Sequence, residues 1–105
     1  MLKPATTWFS ERGWDVAPFQ RLAWESFLAG KDGLIHSPTG SGKTLAAILG
    51  PLLERLAEAE PSEGPDPIRV IWITPLRALA ADTAAALREA VEALGVPFSV
   101  ALRTG

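Results

Sequence analysis

The strongest constraint on this chain is one octapeptide, residues 37–44, which reads S-P-T-G-S-G-K-T. Gly40 and Gly42 stand two apart in it, and glycine takes left-handed backbone dihedrals without the penalty a Cβ would bring. Such a loop can turn sharply and aim successive N–H groups at one point. Upstream, Gly33, Leu34, Ile35 and His36 form a short apolar run suited to a buried strand. Downstream, Leu45, Ile48, Leu49, Leu52, Leu53 and Leu56 recur at helical spacing from Lys43 to about Glu60. The octapeptide therefore demands a strand that hands over to a helix. Pro51 falls inside that helix and is expected to kink it or loosen one turn.

The rest of the chain extends this frame. Phe19, Leu22, Ala23, Phe27 and Leu28 predict a helix over 19–28, stopped at Gly30. Residues 60–67 hold three prolines, a glycine and three acids, the composition of a surface loop. Residues 68–74 (I-R-V-I-W-I-T) are the clearest strand, bounded by Pro67 and Pro75. Leu76, Ala80, Thr83, Leu87, Val91 and Leu94 predict a helix over 76–94 that Gly95 ends, and 97–102 reads as a third strand. Helices alternating with buried strands need right-handed crossovers, so the expected fold is α/β: a parallel sheet with flanking helices.

Composition removes several classes. With 105 residues there is room for one core, and 48% hydrophobic against 21% charged residues is an ordinary globular balance. The absence of cysteine excludes disulfides and thiolate-bound zinc and fits a reducing cytosol. Apolar runs fall far short of the ~20 residues that span a bilayer, so a soluble, cytoplasmic chain with no membrane partner is expected. Net charge is −2, with no basic patch in either half, so nucleic-acid binding has to rest on placed residues.

The octapeptide lies one residue from the phosphate-loop pattern G-x-x-x-x-G-K-[ST], with Ser37 at the leading glycine. Amides beside Gly40 and Gly42, with the positive end of the helix starting near Lys43, make an anion site. Lys43 supplies a point charge to the β- and γ-phosphates, and the Thr44 hydroxyl suits Mg²⁺. A plain helix-capping turn has no need of Lys and Thr in that order. The expected ligand is a nucleoside triphosphate, ATP above others.

At this point a family resemblance becomes visible. Residues 37–44 resemble motif I of superfamily 2 helicases, whose variants often carry a small residue where Ser37 stands. Gly13-Trp14 and Pro18-Phe19-Gln20 look like the Q motif, with Gln20 lying 23 residues before Lys43. Thr74, Pro75, Leu76, Arg77, Ala78, Leu79 and Ala80 are similar to motif Ia, and Arg103-Thr104-Gly105 looks like the start of the next strand-contacting motif. Trp8-Phe9 with Arg12-Gly13-Trp14, then residues 33–36, then residues 72–83 resemble the Lhr-type DEXH-box helicases, especially the ligase-associated branch.

The resemblance implies an incomplete RecA-like phosphate-loop domain, the N-terminal part of a first motor domain. Its parts would be a Q-motif-like region at 8–30, a phosphate-loop region at 33–60 and a motif Ia region at 68–94. ATP and Mg²⁺ would be held by Gln20, Ser37, Pro38, Thr39, Gly40, Ser41, Gly42, Lys43 and Thr44, with Lys43 and Thr44 serving the chemistry and Thr44 on the metal. A glutamine side chain offers an acceptor and two donor hydrogens, so Gln20 can read adenine N6 and N7 together. Single-stranded or partly duplex DNA, with RNA as an alternative, would meet Pro75, Leu76, Arg77, Thr104 and Gly105. Arg77 sits in the first turn of a helix after a strand, where free backbone amides already favour a phosphate. A DNA-ligase or repair partner is implied by resemblance alone.

Other residues read as structural. His36 has no second His or Cys for a metal, Trp72 reads as core, and Trp24 as packing rather than base stacking. Trp8 and Trp14 either lie beneath adenine or anchor the first helix. No D-E-x-H or D-E-x-D occurs, so the family's second motif is missing, and no arginine finger or second motor domain is present. The expectation is a piece of a longer helicase, lacking hydrolysis by itself and joined to the remainder of its chain. Two alternatives stand beside it: a small-molecule kinase, although such kinases usually begin almost at the loop, and a non-catalytic nucleotide-binding fragment.

Overall fold

A computed structural model describes residues 1–36, 42–58, 67–75 and 77–103. Within them the chain forms four helices: α1 (Lys3–Glu11), α2 (Pro18–Leu28), α3 (Lys43–Leu56) and α4 (Arg77–Leu94). The last three fall where the apolar spacing puts them, while α1 is an addition. Its signal was present, because Pro4 presets the first turn and Ala5, Trp8 and Phe9 share one face.

Local chemistry sets the ends of these helices. Pro18 opens α2, and the Gln20 Oε1 accepts the Ala17 N–H at 2.9 Å, satisfying a donor just before the helix. Beyond α2 and α4, Gly30 and Gly95 take left-handed dihedrals. The Lys31 N–H then reaches back to the Ser26 carbonyl at 3.0 Å, and the Val96 N–H to that of Val91 at 3.1 Å. α3 runs through Pro51 as one helix. Pro51 removes the donor that the Ala47 carbonyl would use, and Ala47 lies on the exposed side, where water can replace it.

α3 is the central element, packed against α1, α2 and α4. Its Ile48, Leu49, Leu52 and Leu53 are buried with Trp24 of α2 and Leu87 and Ala90 of α4. At Gly50 the absent side chain sets the spacing, since a Cβ there would lie 2.9 Å from the Phe27 Cβ and Cγ. Phe9 joins α1 to this core, edge-on to Trp24 with centroids 5.4 Å apart, and Trp8 and Trp14 close the aromatic cluster around it.

The expected parallel sheet is not formed: among the described residues there is no strand. Residues 69–74 and 97–101 keep the alternation of strands, with Val70, Trp72, Thr74, Phe98 and Val100 half-buried and Ile71 and Ile73 turned outward, 76% and 88% exposed. What they lack is a ladder. Both segments line a groove of about 830 Å³ floored by Ile48, Leu52 and Leu87, and packing onto a helix orients side chains without bringing two backbones to pairing distance. The Val100 carbonyl accepts from the Arg88 guanidinium at 3.3 Å rather than from a neighbouring strand. Residues 33–36 also depart from the expected buried strand, with Leu34 91% exposed. The proline-rich loop at 60–67 lies outside the described residues apart from Pro67.

Candidate nucleotide site

Gly42 is the hinge of the site. Its φ of 86° is left-handed, and its carbonyl accepts the first bond of α3 from the Ala46 N–H at 3.1 Å. The amides of the first turn therefore have no acceptor within the helix and lie at its positive end. Lys43 and Thr44, both half-buried, occupy that turn. The left-handed glycine, the amide-rich helix start and the Lys-Thr pair fit a triphosphate with a hard divalent cation. Ser37, Pro38, Thr39, Gly40 and Ser41 lie outside the described residues.

Gln20 comes to this turn from α2. It is 5% exposed, its Nε2 donates to the Gly42 carbonyl at 3.1 Å, and its Oε1 takes the Ala17 N–H. A Cβ on Gly42 would sit 2.5 Å from that Nε2, so glycine serves both the dihedral and the contact. Of the four hydrogen-bonding positions of the glutamine amide, the described residues take one hydrogen and one lone pair.

One helical turn further along α2, Trp24 does something the sequence did not suggest. Its indole N–H donates to the Leu45 carbonyl at 3.0 Å. The available signal was its place four residues after Gln20, on the same helix face. Trp8 and Trp14 belong to the aromatic cluster; Trp8 is buried, and the Arg12 guanidinium lies 4.9 Å from the Trp14 ring centroid. Trp72 packs partly buried against the core, as expected.

The residues expected to meet a polynucleotide are only partly brought into view. Pro75 is exposed, and Arg77 is exposed as the first residue of α4. Leu76, Thr104 and Gly105 lie outside the described residues. His36 is exposed, and among the described residues no group of three or more His, Cys, Asp or Glu could hold a metal. At the far end of α3, the Arg69 guanidinium hydrogen-bonds Glu58 and holds its carboxyl below the ordinary glutamate value, with desolvation opposing; the charges of Arg69 and, from 3.5 Å, Arg55 add to the lowering.

A left-handed glycine opening a helix that begins Lys-Thr is the arrangement of phosphate-loop proteins as a class. Residues 17–105 match the DEAD/DEAH box helicase family, and the chain belongs to that family. It is 39% identical over 87 residues to the ATP-dependent helicase Lhr-Core of Methanocaldococcus jannaschii, covering 83% of this chain and 10% of that one. It is 42% identical over 81 residues to the Lhr-Core helicase of Saccharolobus solfataricus, covering 75% of this chain and 9% of the relative. With the DEAD-box ATP-dependent RNA helicase 57 of Arabidopsis thaliana the identity is 39% over 90 residues, 86% of this chain and 15% of the relative. The chain thus spans about a tenth of the length of the Lhr-Core relatives it matches. No solved structure matches it.

Family membership implies a RecA-like phosphate-loop fold. No helix among the described residues is long and apolar enough to cross a membrane.

Proposed function

We propose that this chain carries the ATP site of an ATP-dependent helicase motor of the Lhr type that acts on DNA in the cytoplasm. The observation that carries the reading is Gly42, left-handed and directly followed by Lys43 and Thr44 at the start of α3. Residues 37–44 and the first turn of α3 wrap the phosphates, Lys43 neutralises the β- and γ-phosphates, and Thr44 places its hydroxyl on Mg²⁺. Gln20 turns its remaining hydrogen and lone pair to adenine. Pro75, Leu76, Arg77, Thr104 and Gly105 face the sugar–phosphate backbone of single-stranded or partly duplex DNA. The carboxylates that activate water come from the remainder of the helicase chain, so residues 1–105 bind nucleotide and do not hydrolyse it. A DNA-ligase or other repair partner belongs to the same reading through the Lhr likeness.

Titration of the full-length protein with ATP tests this. Lys43→Ala is expected to raise the ATP dissociation constant roughly tenfold to a hundredfold, the worth of hydrogen bonds to a charged group. Equal affinity in the variant would sink the reading. Stimulation of ATP turnover by single-stranded DNA more than by single-stranded RNA is expected, and the reverse order would move the substrate to RNA.

A further inference from the structure

Burial alone does not account for Trp24. A phenylalanine or leucine would fill apolar space without bringing a polar atom into the core, whereas a buried indole N–H is costly unless it finds an acceptor. Trp24 is 0% exposed, and the acceptor it finds is the Leu45 carbonyl, in the first turn of α3. Gln20, four residues earlier on the same face of α2, holds the Gly42 carbonyl. The two pinned carbonyls bracket Lys43 and Thr44 in sequence. A single pin would leave the start of α3 able to pivot about it; two pins three residues apart fix both its rotation and its position along the axis. Phe9 packs edge-on against the indole, with ring centroids 5.4 Å apart.

We propose that Trp24 is a positioning residue of the nucleotide site: by holding the Leu45 carbonyl through its indole N–H, it fixes the start of α3 so that Lys43 and Thr44 meet a triphosphate in one orientation. This rests on the reading of that turn as the ATP site. The contribution is preorganisation, since the cost of ordering the turn is met in folding rather than on binding. Trp24 is fully buried and bonds the backbone of α3, so its effect falls on the phosphate tail whatever nucleoside is attached.

The test uses the full-length protein and three probes with Mg²⁺: ATP, GTP and inorganic tripolyphosphate. Trp24→Phe removes the donor together with part of the ring. Replacing Trp24 by its benzothienyl isostere, with sulfur in place of the N–H, removes the donor and keeps the shape. Trp8→Phe, in the same aromatic cluster but beside Ala93 and Leu94 at the end of α4, serves as the control for general loss of packing.

Both changes at Trp24 are expected to weaken binding of all three probes by a similar factor, about threefold to tenfold, the worth of one hydrogen bond. Trp8→Phe is expected to lower the melting temperature and leave the three affinities unchanged. Affinities unaltered by the isostere, a loss confined to ATP, or an equal loss in Trp8→Phe would each overturn the proposal while leaving the ATP site standing. If Lys43→Ala binds tripolyphosphate as tightly as the unmodified protein, the site itself is misread and the proposal falls with it.

Discussion

At the scale of single residues, Gly42 carries two demands that no other side chain meets together. A left-handed φ costs an L-residue about 1–2 kcal/mol, and here the added Cβ would also press on the Gln20 amide. Gly42→Ala is therefore expected to lower stability by at least that much and to weaken ATP binding as well, read by denaturation and titration of the same protein. Glu58 offers a pH-dependent counterpart. Its folded-state pKa is depressed, chiefly by the Arg69 hydrogen bond, so its ionised form stabilises the fold above the unfolded-state value. That contribution is lost as the pH falls through the lower folded-state value. Glu58→Gln is expected to flatten the stability profile on the acid side of about pH 4.3, the ordinary glutamate value, and a profile identical to the parent's would show the pair to be inert.

At the scale of elements, α2 and α3 behave as one unit. Trp24 and Gln20 tie the start of α3 to α2 by hydrogen bonds, and the Gly50–Phe27 approach lets the two helices close further along. Alanine at position 50 would gain about 1 kcal/mol in helix propensity but would have to push the Phe27 ring aside, an overpacking that costs about 1–3 kcal/mol. The contacting Phe27 Cβ is fixed by the backbone of α2 and cannot swing clear, so the net change expected for Gly50→Ala is destabilising. Adding Phe27→Ala, which removes the Cγ and the ring and keeps only the Cβ, should recover part of the loss, because the clash needs both partners. A double-mutant cycle from urea unfolding measures this, and strict additivity would contradict the contact.

At the scale of the whole molecule, four helices bury a core on one side of residues 68–74 and 97–102, and the outer side of the first segment stays open. Ile68, Ile71 and Ile73 are all largely exposed on a β-branched segment without a ladder, the kind of surface that pairs with another chain. The isolated 105-residue polypeptide is expected to self-associate. Ile71→Lys combined with Ile73→Lys should shift it toward monomer in sedimentation or light scattering without lowering its melting temperature, since neither side chain is in the core. Unchanged association would place the sticky surface elsewhere.

Much of this molecule is legible in the order of its residues, because the interactions concerned are local. A helix closes its hydrogen bonds four residues apart, so the spacing of Leu45, Ile48, Leu49 and Leu52 suffices to place α3, and Gly30, Gly42 and Gly95 mark turns through their own dihedrals. The Gly42-Lys43-Thr44 turn is legible for the same reason. α1 escaped because three apolar residues in nine make a weak pattern. Tertiary structure alone decided the rest. Whether an extended segment becomes a strand depends on a neighbour at ladder distance, which the composition of residues 68–74 cannot supply. The partners of Gln20 and Trp24 lie 22 and 21 residues away in the chain, and only the packing of α2 on α3 brings those side chains to the carbonyls of Gly42 and Leu45.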